Sequence, residues 1–136
     1  MLCYATHMSQ TEPAISFRYL VHDVADAVSF YTLLGCDVRM HPGPGFAQLT
    51  LDGVAINLNA VGGDGGASQT VAGELPAPGG WNRIQLRLDD LDSRLASLAE
   101  IGIEPVDGVV DGRGGRQALL RDPSGNLVEL FEPHRS

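Results

Sequence analysis

Every one of the nine basic side chains in this 136-residue chain is an arginine, and lysine is missing altogether. That excludes Schiff-base chemistry, a lysine general base and the phosphate-gripping lysine of a P-loop, each of which needs an ε-amine. A guanidinium has no lone pair to offer, so the basic residues can orient and bind but cannot ligate a metal. Against them stand 17 acidic residues, a formal charge of −8, which leaves no basic stripe for nucleic acid. The two cysteines, Cys3 and Cys36, lack metal-ligand spacing. Cys36 is expected as a small buried apolar residue and Cys3 as part of a loose N-terminus, without a disulfide. His7, His22, His41 and His134 are expected to be solvated: one flanks a helix start, one sits at a Pro-Gly turn and two lie near the termini. No Ser-His-Asp order or paired-carboxylate motif stands out, and Asp89 with Asp90 reads as a solvated neighbour beside a helix cap.

The elements that must position any site come in duplicate. Displaced by 67 residues, Phe17-x-Tyr19-x-Val21-x-Asp23-Val24 falls on Ile84-x-Leu86-x-Leu88-x-Asp90-Leu91, and Gly35 falls on Gly102. At an offset of 72, the stretch around Val54–Leu58 falls on Asn126–Leu130, which sets Asn57 opposite Glu129. A repeat of this kind means two similar modules. The boundaries read as a flexible segment 1–14, a first module 15–61, a Gly/Pro-rich linker 62–80 and a second module 81–133, all in one domain. Within the linker, Gly62-Gly63-Asp64-Gly65-Gly66 resembles a phosphate cradle only superficially, since no strand leads into it with a helix behind.

Each module opens with strand-like alternation. Phe17, Tyr19 and Val21 oppose Ser16, Arg18 and Leu20; Ile84, Leu86 and Leu88 oppose Arg83, Gln85 and Arg87. Asp23 and Asp90 read as helix N-caps. The stripes Val24, Ala27, Val28, Tyr31, Leu34 and Leu91, Leu95, Leu98, Ile101 are the buried faces, with Gly35 and Gly102 at left-handed C-caps. Three strands then follow each helix, near Asp37–Met40, Phe46–Thr50 and Val54–Asn59, and near Ile103–Val106, Gln117–Arg121 and Leu127–Phe131. Between the sixth and seventh strands, 111–116 reads as a hairpin tip whose Arg113 and Arg116 either close over a ligand or stay solvated. The polar face of each first strand is too hydrophilic for a core, so it is either a wet surface or the lining of a concavity.

The stretches Val21-His22-Asp23-Val24-Ala25-Asp26-Ala27-Val28-Ser29-Phe30-Tyr31 and Leu88-Asp89-Asp90-Leu91-Asp92, and above all Asp122-Pro123-Ser124-Gly125-Asn126-Leu127-Val128-Glu129-Leu130-Phe131, resemble the vicinal-oxygen-chelate superfamily. That superfamily groups glyoxalase I, extradiol dioxygenases, fosfomycin-resistance enzymes and bleomycin-binding proteins. The resemblance runs from about Ile15 to Pro133. It implies an α+β fold in which two βαβββ modules form a cupped, eight-stranded mixed sheet, commonly as a homodimer.

In the family's metal enzymes the ligands come from the first and last strand of each module. Those positions here are Ser16, Asn57, Arg83 and Glu129, of which only Glu129 is a residue type that such members use. Arg83 is permanently cationic and repels a metal, and Ser16 and Asn57 are weak neutral oxygens. The expectation is therefore a site with no metal and no cofactor, in which Arg83 and Glu129 form a fork-shaped charge-assisted pair. The pair either neutralises itself and holds the cup together, or Arg83, with Arg18 or Arg87, presents donors to an anionic or carbonyl oxygen while Ser16, Asn57 and Gln85 orient it. Trp81 and Phe131 could add flat apolar surface; Phe46 is expected in the core.

The reading that follows is a metal-free, glyoxalase/bleomycin-resistance-like protein binding a small organic molecule in a polar-lined cup, with sequestration of an antibiotic or metabolite as its role. The alternative is an enzyme, either a metal-free isomerase or lyase with Glu129 as base, or a metal-dependent one. A neighbouring guanidinium favours the ionised carboxylate and makes it a poorer base, which tilts the balance to binding. With 43% hydrophobic and 19% charged residues, no apolar run of about 18 residues and no secretory signal in 1–13, a cytoplasmic protein is expected, with no membrane or nucleic-acid partner.

Overall fold

Asp23 and Asp90 each accept a hydrogen bond at 3.0 Å from the amide three residues on, Asp26 and Ser93. These caps start the two helices, because a carboxylate there satisfies amides that the helix itself leaves bare. The structure, a computed structural model, describes residues 13–135; Cys3, His7 and most of the segment 1–14 lie outside the described residues. Module one runs β1 (Ser16–Val21), α1 (Val24–Leu33), β2 (Asp37–Gly43), β3 (Phe46–Leu51) and β4 (Val54–Ala60). Module two runs β5 (Ile84–Arg87), α2 (Leu91–Glu100), β6 (Val106–Asp111), β7 (Gly115–Arg121) and β8 (Leu127–Pro133).

The architecture is α+β with two βαβββ modules. The eight strands hydrogen-bond as two sheets of four, in the orders β1-β4-β3-β2 and β5-β8-β7-β6. In both, the first strand runs parallel to the last and the other pairings are antiparallel. The registers repeat as well: Arg18 lies opposite Asn57 in module one and Gln85 opposite Glu129 in module two. The chain divides into two compact units between Pro78 and Gly79. The segment between β4 and β5 is irregular but organised, with a single 3-10 turn at Gly66–Ser68. The Gln69 side-chain amide donates to the carbonyls of Gly63, Asp64 and Gly65.

One face of each sheet holds the core. In module one Tyr19, Val21, Ile56, Leu58, Ala47 and Leu49 are buried with Val24, Ala27, Phe30 and Tyr31 of α1, and the Tyr19 and Tyr31 rings stack at 5.6 Å. In module two Val128, Leu130, Ala118 and Leu120 are buried with Leu91 and Leu98 of α2. Each buried Val, Leu, Ile or Phe among them contributes about 1.5–3 kcal/mol relative to full exposure. Two details depart from the periodic reading. Phe30 is buried in α1 and Val28 only half so, while Ile101 at the end of α2 stays 55% exposed. The sixth strand begins at Val106 rather than occupying 103–106, because Pro105 has no amide to donate and a bulge at Asp107 and Gly108 (φ 59° and 75°) carries the strand through what reads locally as a turn. Among the described residues no helix is long and apolar enough to cross a membrane.

Candidate functional site

The face of each sheet away from its helix is polar, and its side chains are tied together across the strands. In module one a row crosses all four strands. Arg39 on β2 donates to Gln48 Oε1 on β3; Gln48 Nε2 donates to Asn57 Oδ1 on β4 at 2.8 Å; Asn57 Nδ2 donates to Ser16 Oγ on β1 at 3.2 Å. Beside it, Arg18 donates to Asn59 Oδ1. Gln48, Asn57 and Asn59 are buried, so these bonds offset the cost of removing amides from water.

In module two the register that sets Gln85 beside Glu129 gathers three groups on one acid. Arg83 Nε and Nη2 lie 3.1 Å and 3.0 Å from Glu129 Oε1, and Gln85 Nε2 lies 2.8 Å from Oε2. Arg83 Nη1 donates to the Trp81 carbonyl at 3.1 Å. The charge-assisted pair expected from sequence is present, but not as a fork: both nitrogens converge on one oxygen, because Gln85 holds the other. Glu129 is 8% exposed at its side chain and Arg83 26%.

The Asp-Pro-x-Gly-Asn stretch builds the turn that delivers Glu129. Asp122 Oδ1 accepts from the amides of Ser124 and Asn126, and Oδ2 accepts from Asn126 Nδ2 at 3.0 Å. Asn126 Oδ1 in turn accepts from the Gly79 amide at 2.8 Å. This motif is structural chemistry that fixes where β8 begins.

Of the residues singled out in the sequence, Ser16 joins Asn57, and Arg83 and Gln85 join Glu129, each within its own module. Arg18 is engaged by Asn59. Trp81 is 71% exposed and contributes its carbonyl, and Phe131 lies on the Glu129 face of β8, opposite Arg87 and Gln117. Phe46 is half-buried, opposite Asn59. Arg116 makes a two-pronged pair with Asp92 on α2 at 2.8 Å and 3.1 Å, which holds Asp92 below the usual carboxylate range. Cys36 is buried, and burial together with the neighbouring Asp37 charge pushes its thiol up to about 11. His134 contacts the Gly112 carbonyl at 3.0 Å and Asp111 at 3.3 Å. His41 lies within β2 rather than at a turn.

Sequence reasoning missed Arg39, Gln48 and Asn59. The alternation Phe46-x-Gln48-x-Thr50 places Gln48 on the polar side of its strand, and Asn59 lies two residues beyond Asn57. Nothing local announces that Arg39 reaches across to Gln48.

The donor set does not fit a divalent cation. In module two an ion at Glu129 Oε1 would meet a fixed guanidinium about 3 Å away, and in module one the Asn57 oxygen is already spent on Gln48. Among the described residues no three His, Cys, Asp or Glu side chains cluster as a metal site.

Such paired βαβββ modules are the architecture of a large set of known proteins, and the sequence model described as Glyoxalase/Bleomycin resistance protein/Dioxygenase superfamily matches residues 14–130. The chain belongs to that superfamily. Among solved structures it is similar to TnmS3, an antibiotic binding protein from Streptomyces sp. CB03234, at 30% identity over 90% of this chain and 100% of that one, with a TM-score of 0.64. It also matches a virulence protein from Salmonella typhimurium (20% identity, 90% and 98% covered, TM-score 0.73). A lactoylglutathione lyase from Agrobacterium tumefaciens shares the fold at 19% identity, 89% and 95% covered, TM-score 0.69. No curated protein matches by sequence. Superfamily membership thus covers both binding proteins and enzymes, and the choice between them rests on this chain's own residues.

Proposed function

We propose that this superfamily member binds a small organic molecule by hydrogen bonding on its polar sheet faces, without a metal ion, and holds it rather than transforming it. The observation that carries the reading is the state of Glu129. Its Oε1 is covered by the Arg83 guanidinium and its Oε2 accepts from the Gln85 amide, so both oxygens of the one acid among the four carried-over positions are already engaged by donors, which favours binding over general-base work. Hydrogen-bond donors are plentiful on the same faces, and guanidiniums and amides suit anionic or carbonyl oxygens. TnmS3, at 30% identity, is an antibiotic binding protein, which makes sequestration of an antibiotic or a metabolite the matching role. The working unit in this reading is a homodimer: the sheet-edge strand β6 leaves Val106, Val109 and Val110 exposed, and such an edge favours a partner.

A thermal-shift screen of antibiotics and carbonyl- or carboxylate-bearing metabolites, followed by stoichiometry and product analysis of each hit, tests the reading. A hit bound in fixed stoichiometry and recovered unchanged is expected. Catalytic conversion of a hit that is lost in Glu129→Ala, with binding retained, would replace binding by an enzyme in which Glu129 acts as base.

A further inference from the structure

The row across module one has a direction, and its chemistry fixes that direction. Arg39 can only donate, so the Gln48 atom it meets is the oxygen. Gln48 must then present its NH2 to the next residue, and the Asn57 atom that receives it is again the oxygen, at 2.8 Å. Asn57 is left to present its own NH2 to Ser16 Oγ, at 3.2 Å. The hydroxyl of Ser16 has thereby filled an acceptor site and keeps its own proton to give at the exposed end of the row. Ser16 itself is exposed, whereas Gln48 and Asn57 behind it are 8% and 7% exposed, too enclosed to be reoriented by water.

We infer that Arg39, Gln48 and Asn57 form a one-way relay that makes the Ser16 hydroxyl a dedicated donor, and that the ligand bound on this face must place a carboxylate or carbonyl oxygen there. Arg39 and Gln48 are positioning residues; Ser16 makes the contact. Hydrogen bonds in series polarise one another, so the cationic end strengthens the neutral hydroxyl at the far end. Arg18, opposite Asn57, adds positive charge to the same face, and β1, β3 and β4 contain no acidic residue to oppose an anion. The inference deepens the binding reading above by naming which ligand group is read and by what.

Gln48→Glu is the decisive variant because it keeps the shape and reverses the row. A carboxylate at position 48 accepts from Arg39 and from Asn57, so Asn57 turns its oxygen to Ser16 and the hydroxyl proton is consumed internally. Acetate and methylammonium, titrated into the 15N-labelled full chain at matched ionic strength, serve as acceptor and donor probes. The wild type is expected to show saturable acetate shifts at Ser16 and at the Asn57 side-chain amide, with none from chloride. Gln48→Glu and Ser16→Ala are expected to weaken acetate about tenfold or more, the scale of one hydrogen bond to a charged group. Ser16→Thr should restore it, and Gln48→Glu should gain response to methylammonium. Acetate binding as tight in Gln48→Glu or Ser16→Ala as in the wild type overturns the relay, as do wild-type shifts that chloride reproduces. Should Gln48→Glu not fold, the exposed Ser16→Ala and Ser16→Thr pair decides alone. A ligand from the screen that binds indifferently to all three variants sinks the relay while leaving the binding reading intact.

Discussion

Arg83 and Glu129 meet on a single oxygen: two guanidinium nitrogens lie 3.0 Å and 3.1 Å from Oε1, and Oε2 is left to Gln85. The geometry follows from strand register. Gln85 stands directly opposite Glu129 in the parallel pair of β5 and β8, whereas Arg83 reaches over from two residues earlier and finds one oxygen taken. Coulomb attraction across a half-open face is modest, but the carboxylate is nearly enclosed and takes its hydrogen bonds from both partners. Replacing Glu129 with Gln should therefore cost about 1–3 kcal/mol, the penalty for stranding a partly buried guanidinium. Urea unfolding measures it. A stability change within error would mean that water already satisfies Arg83.

The same pairing predicts indifference to divalent metals. A ligand present at a hundred times its dissociation constant raises stability by about 2.7 kcal/mol, a shift of several degrees in melting temperature. Zn²⁺, Mn²⁺, Fe²⁺ or Ni²⁺ added to chelator-treated protein should give no such rise. A saturable rise that disappears in Glu129→Gln would place a cation at that acid after all.

The parts of this architecture that are written locally can be read from the chain. Asp23 and Asp90 are caps because the residue type and its distance from the apolar stripe suffice to say so. Gly35 and Gly102, at φ 103° and 86°, occupy the left-handed turn that only glycine takes without strain. The Arg83–Glu129 meeting is legible through the family resemblance, which implies that the first and last strand of each module share a site; the repeat adds only that Asn57 corresponds to Glu129. What escapes is whatever depends on cross-strand neighbours or local exceptions. Val106–Asp111 is a strand although Asp107-Gly108 carries the signature of a turn, and Gln48 matters only because β2 brings Arg39 to it. Periodicity says which face a side chain takes; it does not say whom it meets there.

Cys36 gives a pH signature. Its thiol is lifted from 9.0 to about 11, first by burial and then by Asp37. The unfolded chain therefore loses this proton before the folded one does, and the native state is penalised as the pH climbs. The stabilisation associated with the neutral thiol is complete below about pH 9 and is lost as the pH rises through about 11, roughly 2–3 kcal/mol in all. Denaturant titrations of wild type and Cys36→Ala between pH 8 and about 11 should converge by that amount. Parallel curves would mean that the thiol titrates normally.

Asp92 and Arg116 give the opposite sign. Hydrogen bonding and then the charge of Arg116 hold the Asp92 carboxyl below its usual range. The pair's contribution is present above the ordinary carboxylate pKa and fades as acid protonates Asp92. It is exposed, so salt should screen it. Carbonyl-detected NMR titration should show Asp92 titrating at higher pH in Arg116→Met than in wild type, with the gap narrowing in high salt. Identical titrations in the two proteins would show that the contact is not held in solution.

Gly115 should be the least replaceable position of module two for a purely steric reason. A Cβ there would sit 2.2 Å from the Glu132 carbonyl oxygen, 2.8 Å from Pro133 Cα and 2.9 Å from Phe131 Cζ. Two of the three are backbone atoms of the paired strand, opposite which Gly115 lies in register, so no rotamer change relieves the clash. The strand would have to move, and with it Glu132, whose Oε1 accepts from the Leu91 amide at the start of α2 at 2.8 Å. Gly115→Ala is thus expected to cost more than about 2 kcal/mol, well above a typical surface substitution, and to loosen the N-terminal turn of α2 as well. Gly112→Ala, where the nearest atom would be 3.6 Å away, is the matched control and should be nearly silent. Hydrogen exchange at Leu91 reports the coupling. Equal stability for the two variants, with Leu91 protected in both, would show that the β7–β8 pairing yields more easily than its packing implies.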